Sequence, residues 1–302
     1  MRRVFILFVA FLTSFLCLDY LTGTIVKPFL MKVPDAGNNF SNLKQSLIDR
    51  EADILVLGAS KANHHYIVDS LERHYQMPVC NAGIDGDNIV TSLVQFNALT
   101  QKRQPKIVII DLSPGQMADE WEPFFLTHKC FYRVEPHYTL TINNNLKLSE
   151  RLKLLSSLYR YNEVLLEVIQ SYETGETNSK GFIPLYGTND QLFHKKKNYQ
   201  SGQYAFGQYQ EQCLDAIVNK CKEIGCSVYI VNSPTLITYT NGVCESFNDY
   251  CVKRNVPFVN YEGDTAFVNH PELFKDFNHL NLEGAKLFTR NFINLIDRLE
   301  NE

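Results

Sequence analysis

The hydrophobic pattern of the chain changes character several times. Behind Arg2 and Arg3 an unbroken apolar stretch runs from Val4 to Leu18. Asp19 interrupts it and Tyr20-Leu21 briefly extends it. A basic start followed by an apolar run marks an export signal or a membrane anchor. The run sits at the long end of a signal core (~7–15 residues) and short of the ~20 of a comfortable span. No small-x-small cleavage site follows, and Leu16 stands before Cys17, where a lipoprotein signal carries a small residue. Residues 1–22 are therefore expected to form an uncleaved single-pass anchor in the cytoplasmic membrane, with the remainder outside. A cleaved signal and a secreted chain is the alternative. Residues 23–50 are turn-rich at Lys27-Pro28 and Pro34–Asn39, with a polar helix at Asn42–Arg50, and read as a stalk.

From residue 51 the periodicity shifts. Short, fully apolar runs at Asp53–Leu57, Pro78–Asn81 and Lys106–Leu112 alternate with helical patterns at Ala62–Tyr75 and Asn88–Thr100. Such runs suit strands buried on both faces. The alternation lapses between about 113 and 205. That segment is rich in aromatics and Asn, has a helical stretch near Leu146–Tyr172 and a charge run at His194–Asn198, and reads as a largely helical insertion. Helix Phe206–Ile224, strand Ser227–Asn232, helix Gly242–Arg254, strand Pro257–Asn260 and helix Leu282–Leu299 complete the pattern. Residues 51–302 thus predict a flavodoxin-like three-layer α/β/α sandwich on a five-stranded parallel sheet. Ligands of such sheets lie outside the carboxyl ends of the strands.

Composition adds limits. The 302 residues carry a formal charge of −4 and a pI near 6.1, without the basic excess of a general nucleic-acid binder. Of eight cysteines, Cys17 falls in the anchor. The remaining odd number shows no CxxC and no paired His partner, so neither a metal site nor a committed bridge follows.

Three motifs fall at predicted strand ends. Gly58-Ala59-Ser60 follows the first strand and opens a helix, where end amides favour developing negative charge. Ser60 there suits a nucleophile or a plain N-cap. Asn81–Asp87 (NAGIDGD) follows the second strand, either an ordinary turn or one that aims amides at an oxyanion. Asp276-Phe277-Asn278-His279 precedes the last helix. Its carboxylate and imidazole are spaced so that one ring nitrogen is held while the other accepts a serine proton.

Taken together, these blocks resemble the SGNH/GDSL hydrolase superfamily, in particular its envelope-associated members. The resemblance covers about residues 53–112 and 206–299, including His279-Leu280-Asn281-Leu282-Glu283-Gly284 at the closing helix. It implies Ser60 as nucleophile, His279 as base and Asp276 as the group that orients it. The oxyanion donors would be the amides of Ser60 and Gly86. The family's third block, Gly-x-Asn-Asp, is replaced by Ser113-Pro114-Gly115-Gln116, so the oxyanion Asn is missing. Gln116, Asn278 and His64 are candidates for substrate or oxyanion contacts, although an exposed helix face is the commoner place for His64 and His65. Trp121, Phe124, Phe125, Phe131 and Tyr132 fit either a sugar-stacking wall or packing of the insertion.

The reading implied is a membrane-tethered serine esterase or O-acyltransferase acting on an acyl ester, expected to be acetyl, of a cell-envelope glycan. It needs no cofactor or metal and has no nucleic-acid partner. The alternative is an inactive SGNH-like protein that binds a glycan or an assembly partner. A nucleotide or flavin binder on the same sheet leaves Asp276 and His279 unexplained and lacks a GxGxxG run.

Overall fold

The computed structural model describes residues 1–189, 197–199, 205–239 and 242–301. Five parallel strands form the central sheet: β1 (Ile54–Gly58), β2 (Val79–Asn81), β3 (Ile107–Asp111), β4 (Ser227–Asn232) and β5 (Phe258–Asn260). Their order is β2-β1-β3-β4-β5, with Gly58 opposite Asp111 and Asp111 opposite Val231. The period of two divides each strand between two cores. Leu55 and Leu57 of β1 enter one core, and Ile54 and Val56 enter the other. Helices cover both faces, as the sequence pattern predicts. A separate two-stranded pairing joins Lys197–Tyr199 to Ile237–Tyr239. Most of the charge run at 194–198 lies outside the described residues.

The helices, in chain order, are α1 (Arg2–Met31), α2 (Asn39–Lys44), α3 (Ser60–His65), α4 (Val68–Tyr75) and α5 (Ile89–Lys102). The insertion carries α6 (Glu122–Leu126), α7 (Pro136–Asn145), α8 (Leu148–Lys153), α9 (Ser157–Tyr161) and α10 (Leu165–Thr174). The chain ends with α11 (Gln208–Glu223), α12 (Val243–Arg254), α13 (Thr265–Val268) and α14 (Leu282–Asn301). Helix α14 buries Ala285, Phe288, Phe292 and Ile296 as one stripe against Tyr66 and the sheet.

Three expectations are corrected. The helical pattern at 62–75 is two helices, because Thr289 of α14 inserts at the break. Its hydroxyl donates to the His65 carbonyl (3.0 Å) and accepts from the Ile67 amide (3.0 Å), replacing intrahelical bonds. The stretch near 146–172 is likewise α8, α9 and α10, restarted at Ser156, whose Oγ accepts from the Tyr159 amide.

The largest correction concerns 23–50, which is no stalk. Helix α1 continues to Met31, and Leu30, Val33, Phe40, Leu43 and Leu47 are buried in the core. Phe40, Leu43 and Leu47 are a helical stripe, masked in the sequence by Ser41, Asn42, Lys44 and Ser46, polar residues that are themselves buried. Each of these polar groups has a partner inside: Lys44 Nζ donates to the Val33 carbonyl (3.0 Å) and Asn42 Nδ2 to that of Gly83 (2.7 Å). Asp35 gathers Arg50, Ser179 and the Lys180 amide.

Candidate active site

The carboxyl edge of the sheet collects the three motifs. Gly58 ends β1 at φ +145°, and a Cβ there would stand 2.5 Å from the Asp111 carbonyl, so only glycine lets β1 turn out this close to β3. Two residues on, Ser60 opens α3 with its amide in the unpaired first turn of the helix. Its hydroxyl is partly exposed and lies 2.7 Å from His279 Nε2. On the far side of the ring, His279 Nδ1 is 2.9 Å from both oxygens of Asp276. A nitrogen facing a carboxylate carries the proton, which leaves Nε2 free to accept from Ser60.

The Asp276–His279 turn fixes that chain of contacts. Asp276 Oδ1 also accepts from the amides of Asn278 (2.8 Å) and His279 (3.0 Å). Burial alone would push the Asp276 carboxyl up. The His279 ring and the two amides outweigh it and hold the carboxyl below its ordinary range, so it stays ionised behind the imidazole.

Both neighbouring histidines are buried, which overturns their placement on an exposed helix face. His64 Nδ1 donates to the Ile183 carbonyl (2.7 Å), while Nε2 faces Asp85 at 3.1 Å. With an acceptor at each nitrogen the ring favours its charged form. Burial opposes this, but the hydrogen bond and charge of Asp85 prevail and raise the pKa above 6.5. Asp85 is lowered correspondingly: burial pushes it up, and His64 and Asn63 outweigh that. The His64 ring stands edge-on to His279 with centroids 5.6 Å apart.

His65 takes the opposite state. Its Nε2 accepts from the Leu280 amide (3.0 Å), so the proton lies on Nδ1, which faces Ser233 Oγ at 2.9 Å. Burial, then the nearby His279 and Lys61, push its pKa well down and keep it neutral. It anchors the backbone immediately after His279.

Below Ser60 lies a polar network that the motifs did not reveal. Lys61 Nζ donates to Asn232 Oδ1 (2.9 Å) and sits 3.4 Å from Asp111 Oδ1, while Tyr66 OH donates to Asp111 Oδ2 (2.8 Å). Burial and the Asp111 charge hold the Tyr66 phenol protonated. These contacts tie α3 to the ends of β3 and β4. An Asp closing the otherwise apolar KIVIID strand and a Lys directly after Ser60 were the signals available.

The remaining candidates divide. Gly86, at φ +72°, lies in the turn after β2 that Asp85 binds to α3 through Asn63 Nδ2 (2.8 Å) and His64. Gln116 does not open toward a substrate. Its Oε1 accepts from the Ser113 amide (2.8 Å) and hydroxyl (2.9 Å), and its Nε2 is buried without a partner among the described residues. Asn278 is partly exposed in the Asp276–His279 turn. Trp121, Phe125, Phe131 and Tyr132 are buried in packing of the insertion, with Phe125 stacked on Tyr138 at 4.3 Å, so of that group only Phe124 is exposed. No cluster among the described residues could hold a metal ion.

A parallel-sheet α/β protein with a Ser–His–Asp relay on its carboxyl rim is the class that fold and site define. Solved structures resembling the chain include the psychrotrophic esterase EstA from a Pseudoalteromonas species, at 13% identity and TM-score 0.43 over 84% of this chain and 100% of that one. A lipolytic protein of the G-D-S-L family from Desulfitobacterium hafniense gives 15% and 0.39 over 78% and 95%. The two-domain esterase CEX, active on acetylated mannans, gives 15% and 0.39 over 86% and 52%. No protein-family model and no curated protein matches. The chemistry below rests on the geometry of the site.

Proposed function

We propose that the chain is a serine ester hydrolase or O-acyltransferase of SGNH type, tethered by α1 on the outer side of the cytoplasmic membrane and acting on an acyl ester of an envelope glycan. The continuous Ser60–His279–Asp276 relay carries this reading. Ser60 Oγ attacks the ester carbonyl as its proton passes to His279 Nε2, and Asp276 stabilises the imidazolium that forms. The amides of Ser60 and Gly86 receive the oxyanion. Collapse of the tetrahedral adduct expels the sugar alkoxide, which takes the proton back from His279. Water then releases the acyl group from Ser60, or a second sugar hydroxyl accepts it.

The tether and the glycan are the finer part of the reading. Helix α1 is, by length and composition, long and apolar enough to span a bilayer. Its outer end is built into the core through Leu30, so removal of residues 1–31 as a signal would open that core.

Labelling with a fluorophosphonate tests the chemistry: one adduct per chain, mapped to Ser60, is expected, together with release of acetate from an acetylated polysaccharide. Transfer of acetyl to an added sugar faster than release to water would mark a transferase. The inward turn of Gln116 favours a second reading, a glycan- or partner-binding protein without turnover. An unlabelled Ser60 in a folded, glycan-binding chain would establish that one instead.

A further inference from the structure

The outer third of α1 is fastened to the insertion at several levels. Asp19, the one acidic residue of α1, accepts hydrogen bonds from Ser156 Oγ (2.6 Å), the Ser157 amide (3.0 Å) and the Leu158 amide (2.9 Å), and so caps α9. A turn further along, Gly23 packs so closely that a Cβ would stand 2.5 Å from Ser157 Oγ. Higher still, Tyr172 OH donates to the Phe29 carbonyl (2.7 Å) and the two rings meet edge to face. The insertion is itself rigidly packed through Phe125, Phe131 and Tyr138. The direction of α1 relative to the domain is therefore set.

Where α1 leaves this contact, from Leu18 back to Val4, its large apolar side chains are exposed. Beside the point of departure the insertion exposes apolar side chains of its own. Leu148, Leu152 and Leu155 recur at helical spacing along α8 and the bend after it, and Leu155 directly precedes the Ser156 that binds Asp19. Leu165, Leu166 and Ile169 do the same on α10. The localisation is sharp. Among the described residues outside 1–31 and the insertion, Val252 is the only exposed large hydrophobic; within the insertion Phe124, Leu140, Tyr172 and Tyr186 are exposed as well. Lys147, Arg151 and Lys153 interleave with the α8 leucines. Lys153 is paired with Glu150, Arg151 donates to the Asn143 carbonyl, and Glu167 stands on α10, so the apolar side chains rather than a net basic charge mark this face.

We propose that this face of α8 and α10 is a membrane contact, seated in the boundary of the leaflet from which α1 emerges. It rests on reading α1 as an uncleaved span, and it begins at Leu155, directly before the Ser156 that binds Asp19 of that span. Three points of the contact, α1, α8 and α10, fix the tilt of the domain. The site then works at a set height above the bilayer rather than sweeping a volume on a tether.

Tryptophan scanning tests it on the full chain, reconstituted in phosphatidylcholine–phosphatidylglycerol vesicles whose acyl chains are brominated at different depths. Trp121, the single and buried native tryptophan, supplies a constant background. Leu155→Trp and Leu166→Trp are expected to lose about half their added emission to bromines near the headgroup end, Phe11→Trp to mid-chain bromines, and Val252→Trp none. Quenching at position 11 without quenching at 155 and 166 overturns the proposal and leaves the span standing. No quenching at position 11 overturns the span itself, and this proposal with it. Unquenched emission at 155 and 166 that changes when the protein is diluted within the bilayer assigns the face to a second copy instead. Equal quenching at 252 means unspecific adsorption and equally rejects the seat.

Discussion

Two turns flank the serine at the carboxyl edge of the sheet, one after β2 and one after β3, and they are built in opposite ways. The turn after β2 is tied outward. Asp85 binds Asn63 and His64 of α3, and its amide reaches Asn39 at 3.1 Å, so the segment holding Gly86 is braced against the helix that Ser60 begins. The turn after β3 is tied to itself, with the Gln116 carbonyl oxygen spent on Ser113. The SGNH pattern that the sequence blocks resemble would place an oxyanion Asn after the third strand. Here the Gln116 side chain at that strand end is turned onto Ser113, and in the proposed reaction the oxyanion is left to the backbone amides of Ser60 and Gly86.

The comparison can be broken in graded ways. The largest effect is expected from Ser60→Ala, which should reduce acetyl-ester turnover by on the order of 10⁴-fold or more with an unchanged circular-dichroism spectrum. Asp276→Asn should follow at about 10³–10⁴-fold, since the ring loses the partner that fixes its tautomer. Both measure the relay that the two turns serve. Next comes the contrast itself. Asp85→Ala should lower kcat by about 10- to 100-fold with little change in KM, because the oxyanion turn is released from α3. Gln116→Ala should leave kcat within about threefold while lowering stability by about 1 kcal/mol, the ordinary worth of a lost hydrogen bond. Equal kcat losses in these two variants would show that the turns act alike.

The smallest effect concerns pH. The pKa of His64 is raised above 6.5 in the fold, so the stability it contributes is fully present below that value and lost as pH climbs through the raised one. Asp85 is lowered below 3.8, and its contribution is lost only as pH falls through the lowered value. The brace on the oxyanion turn is therefore intact between these limits and loosens on the alkaline side. A modest alkaline decline in kcat is expected, and it should vanish in His64→Gln. A decline that survives in that variant assigns the limb to another group.

Much of the fold was legible because buried parallel strands announce themselves. ILVL and IVII have no polar face, and the helical stretches between them set the βαβ order. The relay was legible for a related reason: Ser60, Asp276 and His279 each stand at a strand or helix end, where local chemistry and topology coincide. What escaped notice shares one cause, burial of polar residues. His64, His65, Lys61 and Asp111 look like surface in a hydropathy reading, yet each is buried with partners supplied from distant segments. Residues 23–50 were misread as a stalk on the same ground, since Asp35, Lys44 and Arg50 find their counter-groups at positions 49, 33, 35 and 179–180.

The sequence by itself determined the strands, their alternation with helices, the apolar run of α1 and the residues of the relay, because each depends on short-range patterning. Tertiary structure alone decided the opposite charge preferences of His64 and His65 and the docking of α1 on the insertion. Those depend on which group stands 3 Å away, and that partner comes from dozens to over two hundred residues along the chain.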